Sequence, residues 1–207
     1  MATTNVVRLT GRDVFLTELE SLLHGGKTAI AVALTDLDDF AAINEAHGRD
    51  VGDAVLMAWD RVLRANIPQD GSVSRLGGDE FVVVLPGTSA EIAVVLLEEI
   101  RRHLAGMSIE GVADAITASV GVAANPPHGT SAEELYRCAG EALMRAKRDG
   151  RDRVAMYVEE KMVLKSNYYS KANLERLAKL SSASDRTEAS LLREALDDLL
   201  DKHKAAL

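Results

Sequence analysis

The sequence predicts an α+β domain with a mainly antiparallel sheet flanked by helices, followed by a small second unit. Three observations carry this prediction. Helical and strand patterns alternate as far as Val158, a Gly77-Gly78 pair joins two short apolar strands, and two amphipathic helical segments take over beyond. An alternation in which hairpins sit among the strands favours an antiparallel sheet with helices packed around it.

The elements follow in order. Arg12–His24 carries Val14, Phe15, Leu19, Leu22 and Leu23 at helical spacing and stops at Gly25-Gly26. Thr28–Asp36 is a strand-like run ending on an acid. Asp38–His47 and Val51–Ala65 read as helices divided by a turn from Gly48 to Gly52. Ser72–Arg75 and Phe81–Leu85 are short strands, and the intervening Leu76-Gly77-Gly78-Asp79-Glu80 is a hairpin signal because glycine supplies positive φ. Ser89–Leu104 is an apolar-striped helix with Ser89 as its N-cap. Ile116–Ala124 is a strand, Asn125–Thr130 a loop with Pro126-Pro127, and Ser131–Arg148 a helix opening on a capping arrangement. Arg153–Val158 completes the first unit as a strand.

Composition narrows the function. The 207 residues are 47% hydrophobic, enough for a packed core, and the net charge of −8 argues against a general polyanion binder. A single cysteine, Cys138, excludes an intrachain disulfide and a cysteine-built zinc site. Met1–Thr10 has no secretory pattern, and no apolar run approaches the ~20 residues of a membrane helix. A cytoplasmic protein with no membrane partner is expected.

The chemistry concentrates in Arg75-Leu76-Gly77-Gly78-Asp79-Glu80-Phe81. Two acids stand at the tip of a glycine hairpin, while Asp36 and Asp38 end another strand. If the strands are neighbours, these carboxylates converge on one sheet edge. Oxygen-rich clusters suit Mg²⁺, which binds through one or two carboxylates plus substrate phosphates, and the glycines permit a nucleotide close to the backbone. The alternative is a plain turn with two solvated acids.

The run resembles the signature of GGDEF-type diguanylate cyclases. Upstream, Asp36-Leu37-Asp38-Asp39-Phe40-Ala41-Ala42-Ile43-Asn44-Glu45, then Gly48 and Gly52-Asp53, is similar to the family's D-x-D-x-F-K-x-I-N-D-x-x-G-H-x-x-G-D. Downstream, Ser119-Val120-Gly121-Val122-Ala123 resembles its S-I/V-G-V-A strand, and Ala142–Arg151 its A-L-Y-x-A-K-x-x-G-R helix end. The resemblance implies a nucleotidyl-cyclase-like fold over about residues 6–157 and the condensation of two GTP into cyclic di-GMP plus pyrophosphate. It implies Mg²⁺ (or Mn²⁺) held by Asp36, the Leu37 carbonyl, Asp79 and Glu80, with Asp79 and Glu80 also helping to deprotonate the attacking 3′-hydroxyl. GTP contacts fall to Phe40, Asn44, Asp53, Gly77, Gly78, Lys147 and Arg151. Of these, Asn44 and Asp53 read the guanine edge and Lys147 and Arg151, spaced i,i+4, neutralise phosphates. Since each domain binds one GTP, a homodimer is implied.

Several positions depart from the family pattern. Ala41 replaces lysine, Arg49 replaces histidine, Gly140 replaces aspartate, and Val7 replaces an aspartate near the start. Ala41, Arg49 and Gly140 keep a second function open, that of a non-catalytic sensor of GTP or cyclic di-GMP regulating transcription. The window where the family carries an inhibitory R-x-x-D product site reads Pro68-Gln69-Asp70-Gly71, without arginine, so no feedback through it is expected.

Residues 1–158 are thus expected to form the cyclase domain, 159–163 a linker and 164–207 a second domain. The last resembles a ribbon-helix-helix unit, with an extended Leu164–Tyr169 and helices over Ser170–Ser182 and Arg186–Lys204. That resemblance implies dimerisation and DNA binding, with Lys165, Asn167 and Tyr169 on the strand face toward the bases. The N-terminus of the second helix, near Ser184–Thr187, would seat a phosphate. A hairpin that only dimerises the cyclase, or packs on the first domain, is the alternative.

Overall fold

The computed structural model describes residues 11–25, 29–112, 114–159, 168–184 and 186–203. The chain divides into two units, Met1–Glu160 and Lys161–Leu207. The first runs α1 (Arg12–Gly25), β1 (Ile30–Leu37), α2 (Phe40–His47), α3 (Arg49–Asn66), β2 (Ser72–Gly77), β3 (Glu80–Pro86), α4 (Ala90–Ala105), β4 (Ala118–Asn125), α5 (Ala132–Arg148) and β5 (Val154–Met156).

The strands form one sheet in the order β2-β3-β1-β4-β5. β1 pairs antiparallel with β3 and with β4, and β2 antiparallel with β3. Only β5 runs parallel to its neighbour β4, because α5 carries the chain back between them, as a parallel pair requires. The expected mainly antiparallel α+β architecture is therefore present, with one parallel edge.

The central place of β1 explains its unbroken apolar run Ile30-Ala31-Val32-Ala33-Leu34. Ala31 and Ala33 face a core built with Val55, Trp59, Leu97 and Ile100 of α3 and α4. Ile30, Val32 and Leu34 face a second core with Phe15, Leu19, Leu135 and Leu143 of α1 and α5. A strand covered on both faces has no reason to alternate with polar residues. Each fully buried large side chain contributes ~1.5–3 kcal/mol, so this sandwich holds the strand ends that carry the acids.

Helix boundaries follow local chemistry. Ser89 Oγ accepts the Ile92 N–H and Ser131 Oγ the Glu134 N–H, capping α4 and α5 as their sequences foretell. Gly48, at φ 85°, separates α2 from α3. α2 begins two residues later than the sequence suggests, since Asp39 adopts a left-handed φ of 53°. Asp38 is drawn inward instead.

The second unit holds α6 (Lys171–Ser184) and α7 (Glu188–Lys202), which pack on each other. Thr187 Oγ1 accepts the Ser190 N–H and caps α7. None of the described residues of this unit is buried; Leu174, Leu180, Leu196, Leu199 and Leu200 are all exposed. Of the expected strand Leu164–Tyr169, residues 164–167 lie outside the described residues, and Tyr168 and Tyr169 are not in a strand. Among the described residues no helix is long and apolar enough to cross a membrane.

Candidate active site

The antiparallel pairing of β1 with β3 sets Asp36 directly opposite Glu80. Strand register alone thus brings together acids separated by 44 positions in the sequence. The β2–β3 hairpin turns through Gly78 and Asp79, and Gly78 takes a φ of 51° that a side chain would strain. Arg75 Nε donates to the Gly78 carbonyl at 2.7 Å and braces the turn. Outward from both Gly77 and Gly78 the space is open, with nothing within 4 Å of where a Cβ would stand. A ligand can therefore approach the backbone here.

Burial sets the electrostatics. It raises the Asp36 carboxyl above its ordinary range, opposed by a hydrogen bond from Lys147 and reinforced by the negative charges of Asp79 and Asp38. Lys147 Nζ lies 2.6 Å from Asp36 Oδ1. Burial raises Glu80 likewise, against a hydrogen bond from the Tyr136 hydroxyl at 3.3 Å, while Asp36 and Asp79 add repulsion. The edge is crowded with like charge and carries one compensating ammonium close by.

Lys147 arrives there through a tight helix–strand contact. A Cβ at Gly121 in β4 would stand 2.1 Å from both the Ala139 carbonyl oxygen and the Leu143 nitrogen of α5. The missing side chain lets α5 lie against the sheet at Gly121, which pairs with Leu34 of β1. One turn beyond Leu143 comes Lys147, and two residues beyond Leu34 comes Asp36.

The other expected site residues are placed as follows. Asn44 projects from α2 over Gly52, where a Cβ would fall 1.9 Å from Asn44 Oδ1, and Asp53 follows exposed on the first turns of α3. α3 is anchored by Trp59 Nε1 donating to Thr35 Oγ1 at 2.8 Å, next to Asp36. Phe40 is partly buried and packs against the larger core. Leu37 is fully buried.

Two expectations need correction. Asp38 does not present its carboxylate with the other acids. It is 5% exposed and accepts from Thr117 Oγ1, Ser119 Oγ and the Asp152 N–H. Nor do Lys147 and Arg151 stand one helical turn apart, because α5 ends at Arg148 and Arg151 has a left-handed φ of 61°. Arg151 Nε instead lies 3.7 Å from Asp39 Oδ1. Sequence reasoning missed Tyr136 as the partner of Glu80 and Gly121 as the seat of α5, since neither contact has a local signal.

Among the described residues no three Asp, Glu, His or Cys side chains gather into a self-sufficient metal cage. Asp36, Asp79 and Glu80 offer only carboxylate oxygens, and Asp36 pairs with Glu80 at the strand ends beside the open glycine turn. That set suits Mg²⁺, which dehydrates reluctantly and shares its coordination with water and phosphates.

Residues 5–153 match the family of the diguanylate cyclase GGDEF domain. The chain belongs to this family. DgcM, a diguanylate cyclase of Escherichia coli strain K12, is 41% identical over 124 residues, covering 60% of this chain and 30% of that protein. The response regulator PleD of Caulobacter vibrioides is 33% identical over 160 residues, covering 73% of this chain and 35% of that protein. The chain thus spans about a third of the length of these curated relatives. Among solved structures, the active GGEEF domain of a Vibrio cholerae diguanylate cyclase superposes with a TM-score of 0.69 at 28% identity, covering 74% of this chain and 100% of that one. The GGDEF domain of DgcB from Caulobacter crescentus, in complex with c-di-GMP, gives 0.68 at 30% identity over 76% and 96%.

Proposed function

We propose that this chain is a diguanylate cyclase that joins two GTP molecules into cyclic di-GMP and releases two pyrophosphates. The observation that carries the reading is the pairing of Asp36 with Glu80 across the β1–β3 ladder, beside an open Gly77-Gly78 turn and within reach of Lys147. In each half-reaction the 3′-oxygen of one GTP attacks the α-phosphorus of the other in line, and pyrophosphate departs.

Asp36, the Leu37 carbonyl, Asp79 and Glu80 are the groups that would hold Mg²⁺ or Mn²⁺, which when bound neutralises charge on the phosphates. Glu80, poised by burial and held by Tyr136, together with Asp79, draws the proton from the 3′-hydroxyl. Lys147 exchanges Asp36 for the incoming triphosphate, and Arg151 adds a second cation. At the guanine edge the Asp53 carboxylate accepts from N1–H and the exocyclic amine and the Asn44 amide supplies a further hydrogen bond, with Phe40 backing the base and Gly77 and Gly78 leaving room for ribose and phosphates.

One GTP per domain makes the reaction depend on two facing copies. The second unit supplies a means of pairing, since its exposed leucines on α6 and α7 call for a cover that a second copy would provide. We propose that residues 164–207 form a ribbon-helix-helix dimer that also binds DNA, with Lys165, Asn167 and the exposed Tyr169 facing the bases. Gel shifts with genomic fragments across a salt series test this; a dimer with no shift at low salt reduces the unit to dimerisation alone.

For the cyclase, the 207-residue chain is incubated with GTP and Mg²⁺ and the products are separated by chromatography. Cyclic di-GMP is expected and should vanish with Asp79→Ala. Absence of product at high protein concentration supports the sensor reading favoured by Ala41, Arg49 and Gly140.

A further inference from the structure

Among the described residues, three that are not glycine have left-handed φ: Asp39 at 53°, Arg151 at 61° and Asp152 at 49°. A Cβ makes such backbone costly, and it persists where surrounding contacts over-determine it. All three residues lie beside one carboxylate, that of Asp38. Asp39 is its chain neighbour, and the Asp152 N–H donates to Asp38 Oδ2 at 3.0 Å, fixing the peptide next to Arg151. Thr117 Oγ1 holds the same oxygen at 2.9 Å and Ser119 Oγ the other at 2.6 Å.

The far side of the loop is held as firmly. The Asp152 carboxylate pairs with Arg101 of α4, itself 8% exposed and forked onto Glu98 at 2.6 and 2.9 Å. The two strained segments also meet directly, through Arg151 and Asp39. Asp36 and Leu37 immediately precede Asp38 on β1, so one buried carboxylate ties the acid-bearing strand end to the loop that carries Arg151.

We infer that Asp38 is a positioning residue, which locks the phosphate-facing Arg151 in register with the acid-bearing end of β1, with Asp152 and Arg101 completing the lock. This rests on the cyclase reading above. It differs from a purely structural role, in which Asp38 stabilises the fold and leaves nucleotide affinity untouched.

The test uses the full chain with Mg²⁺ and 3′-deoxy-GTP, which keeps the base and triphosphate of the substrate but lacks the attacking hydroxyl. Affinity is measured by calorimetry beside the thermal midpoint, for Asp38→Asn, Arg151→Ala and the double variant. Asp38→Asn is expected to weaken binding about tenfold, the scale seen when a partner that orients a ligand-holding residue is lost. The double variant should bind no more weakly than Arg151→Ala, because both changes remove one effect. Affinity of a folded Asp38→Asn equal to wild type, or additive losses, overturns the inference.

Should Asp38→Asn not fold, Asp152→Gly takes its place. It accepts the left-handed φ and keeps the amide on Asp38 but frees the loop from Arg101, so binding should again weaken; unchanged binding refutes the lock. Failure of the wild-type chain to bind the analogue overturns the cyclase reading and the inference with it. Failure of the variants alone overturns only the inference.

Discussion

Replacing Gly52 by alanine adds one methyl group at the point where α3 faces the side chain of Asn44. That Cβ would lie 1.9 Å from Asn44 Oδ1, 2.9 Å from Cγ and 3.4 Å from Nδ2. The first two distances are well inside contact, so the amide must swing away. Two opposing terms govern stability. Gly52 sits within α3 without a positive φ, so alanine gains ~1 kcal/mol of helix propensity. Forcing Asn44 off its rotamer costs ~0.5–1.5 kcal/mol. They nearly cancel, and the melting midpoint should move by no more than ~4 °C.

GTP binding has no such compensation. In the guanine-reading role proposed for Asn44, loss of its amide costs ~1–1.5 kcal/mol, or about tenfold in affinity. Calorimetric titration with 3′-deoxy-GTP alongside a thermal melt reads both quantities. Unchanged GTP affinity in a folded Gly52→Ala would refute the role given to Asn44. A collapse in stability would show that Gly52 serves packing instead.

Gly121→Ala makes the opposite case, because its Cβ would meet backbone atoms of Ala139 and Leu143 that cannot rotate aside. A loss of ~1–3 kcal/mol or more is expected in thermal or denaturant unfolding, and stability equal to wild type would contradict the tight α5–β4 contact. Glu80→Gln keeps an acceptor for Tyr136 while removing one of the crowded charges. It should abolish cyclic di-GMP synthesis and raise stability by ~0.5–1 kcal/mol; a less stable variant would argue against charge crowding at this edge.

His128 Nδ1 accepts the Ala124 N–H at 3.1 Å, and burial lowers its pKa despite Glu91 nearby. The fold therefore favours the neutral ring, so this contribution is present above the unfolded value of ~6.5 and is lost as pH falls through the lower folded value. Melts between pH 7.5 and 5 should show a steeper acid decline for wild type than for His128→Asn, and equal slopes would sink the argument. Cyclic di-GMP should not inhibit through the Pro68–Gly71 window, where Asp70 is exposed and no arginine stands. Tight product inhibition removed by Asp70→Ala would overturn this.

Periodicity, glycine placement and caps are local, and the sequence alone accounts for them. It determined the order of elements in the first unit, the Gly77-Gly78 turn between β2 and β3, the Ser89 and Ser131 caps and the two C-terminal helices, because each follows from neighbours within a turn or two of the chain. It also singled out Asp36, Asp79 and Glu80 as candidates for the chemistry, from acids at a strand end and in a glycine turn and from their likeness to a family signature, and the strand register sets Asp36 opposite Glu80.

What lay beyond it was decided by contacts between distant segments. Asp36 and Asp38 are two apart and look equivalent as a strand pair, yet β1 stops at Leu37. Thr117, Ser119 and the Asp152 amide then draw only Asp38 inward. Lys147 and Arg151 look like helical neighbours, but the loop held by Asp38 and Arg101 ends α5 between them. Lys147 reaches Asp36 because Gly121 lets α5 press on the sheet. The residue types were legible in the chain, but which carboxylate faces the open turn and which is buried was set by the packing of α5 and the loop after it against β1 and β4.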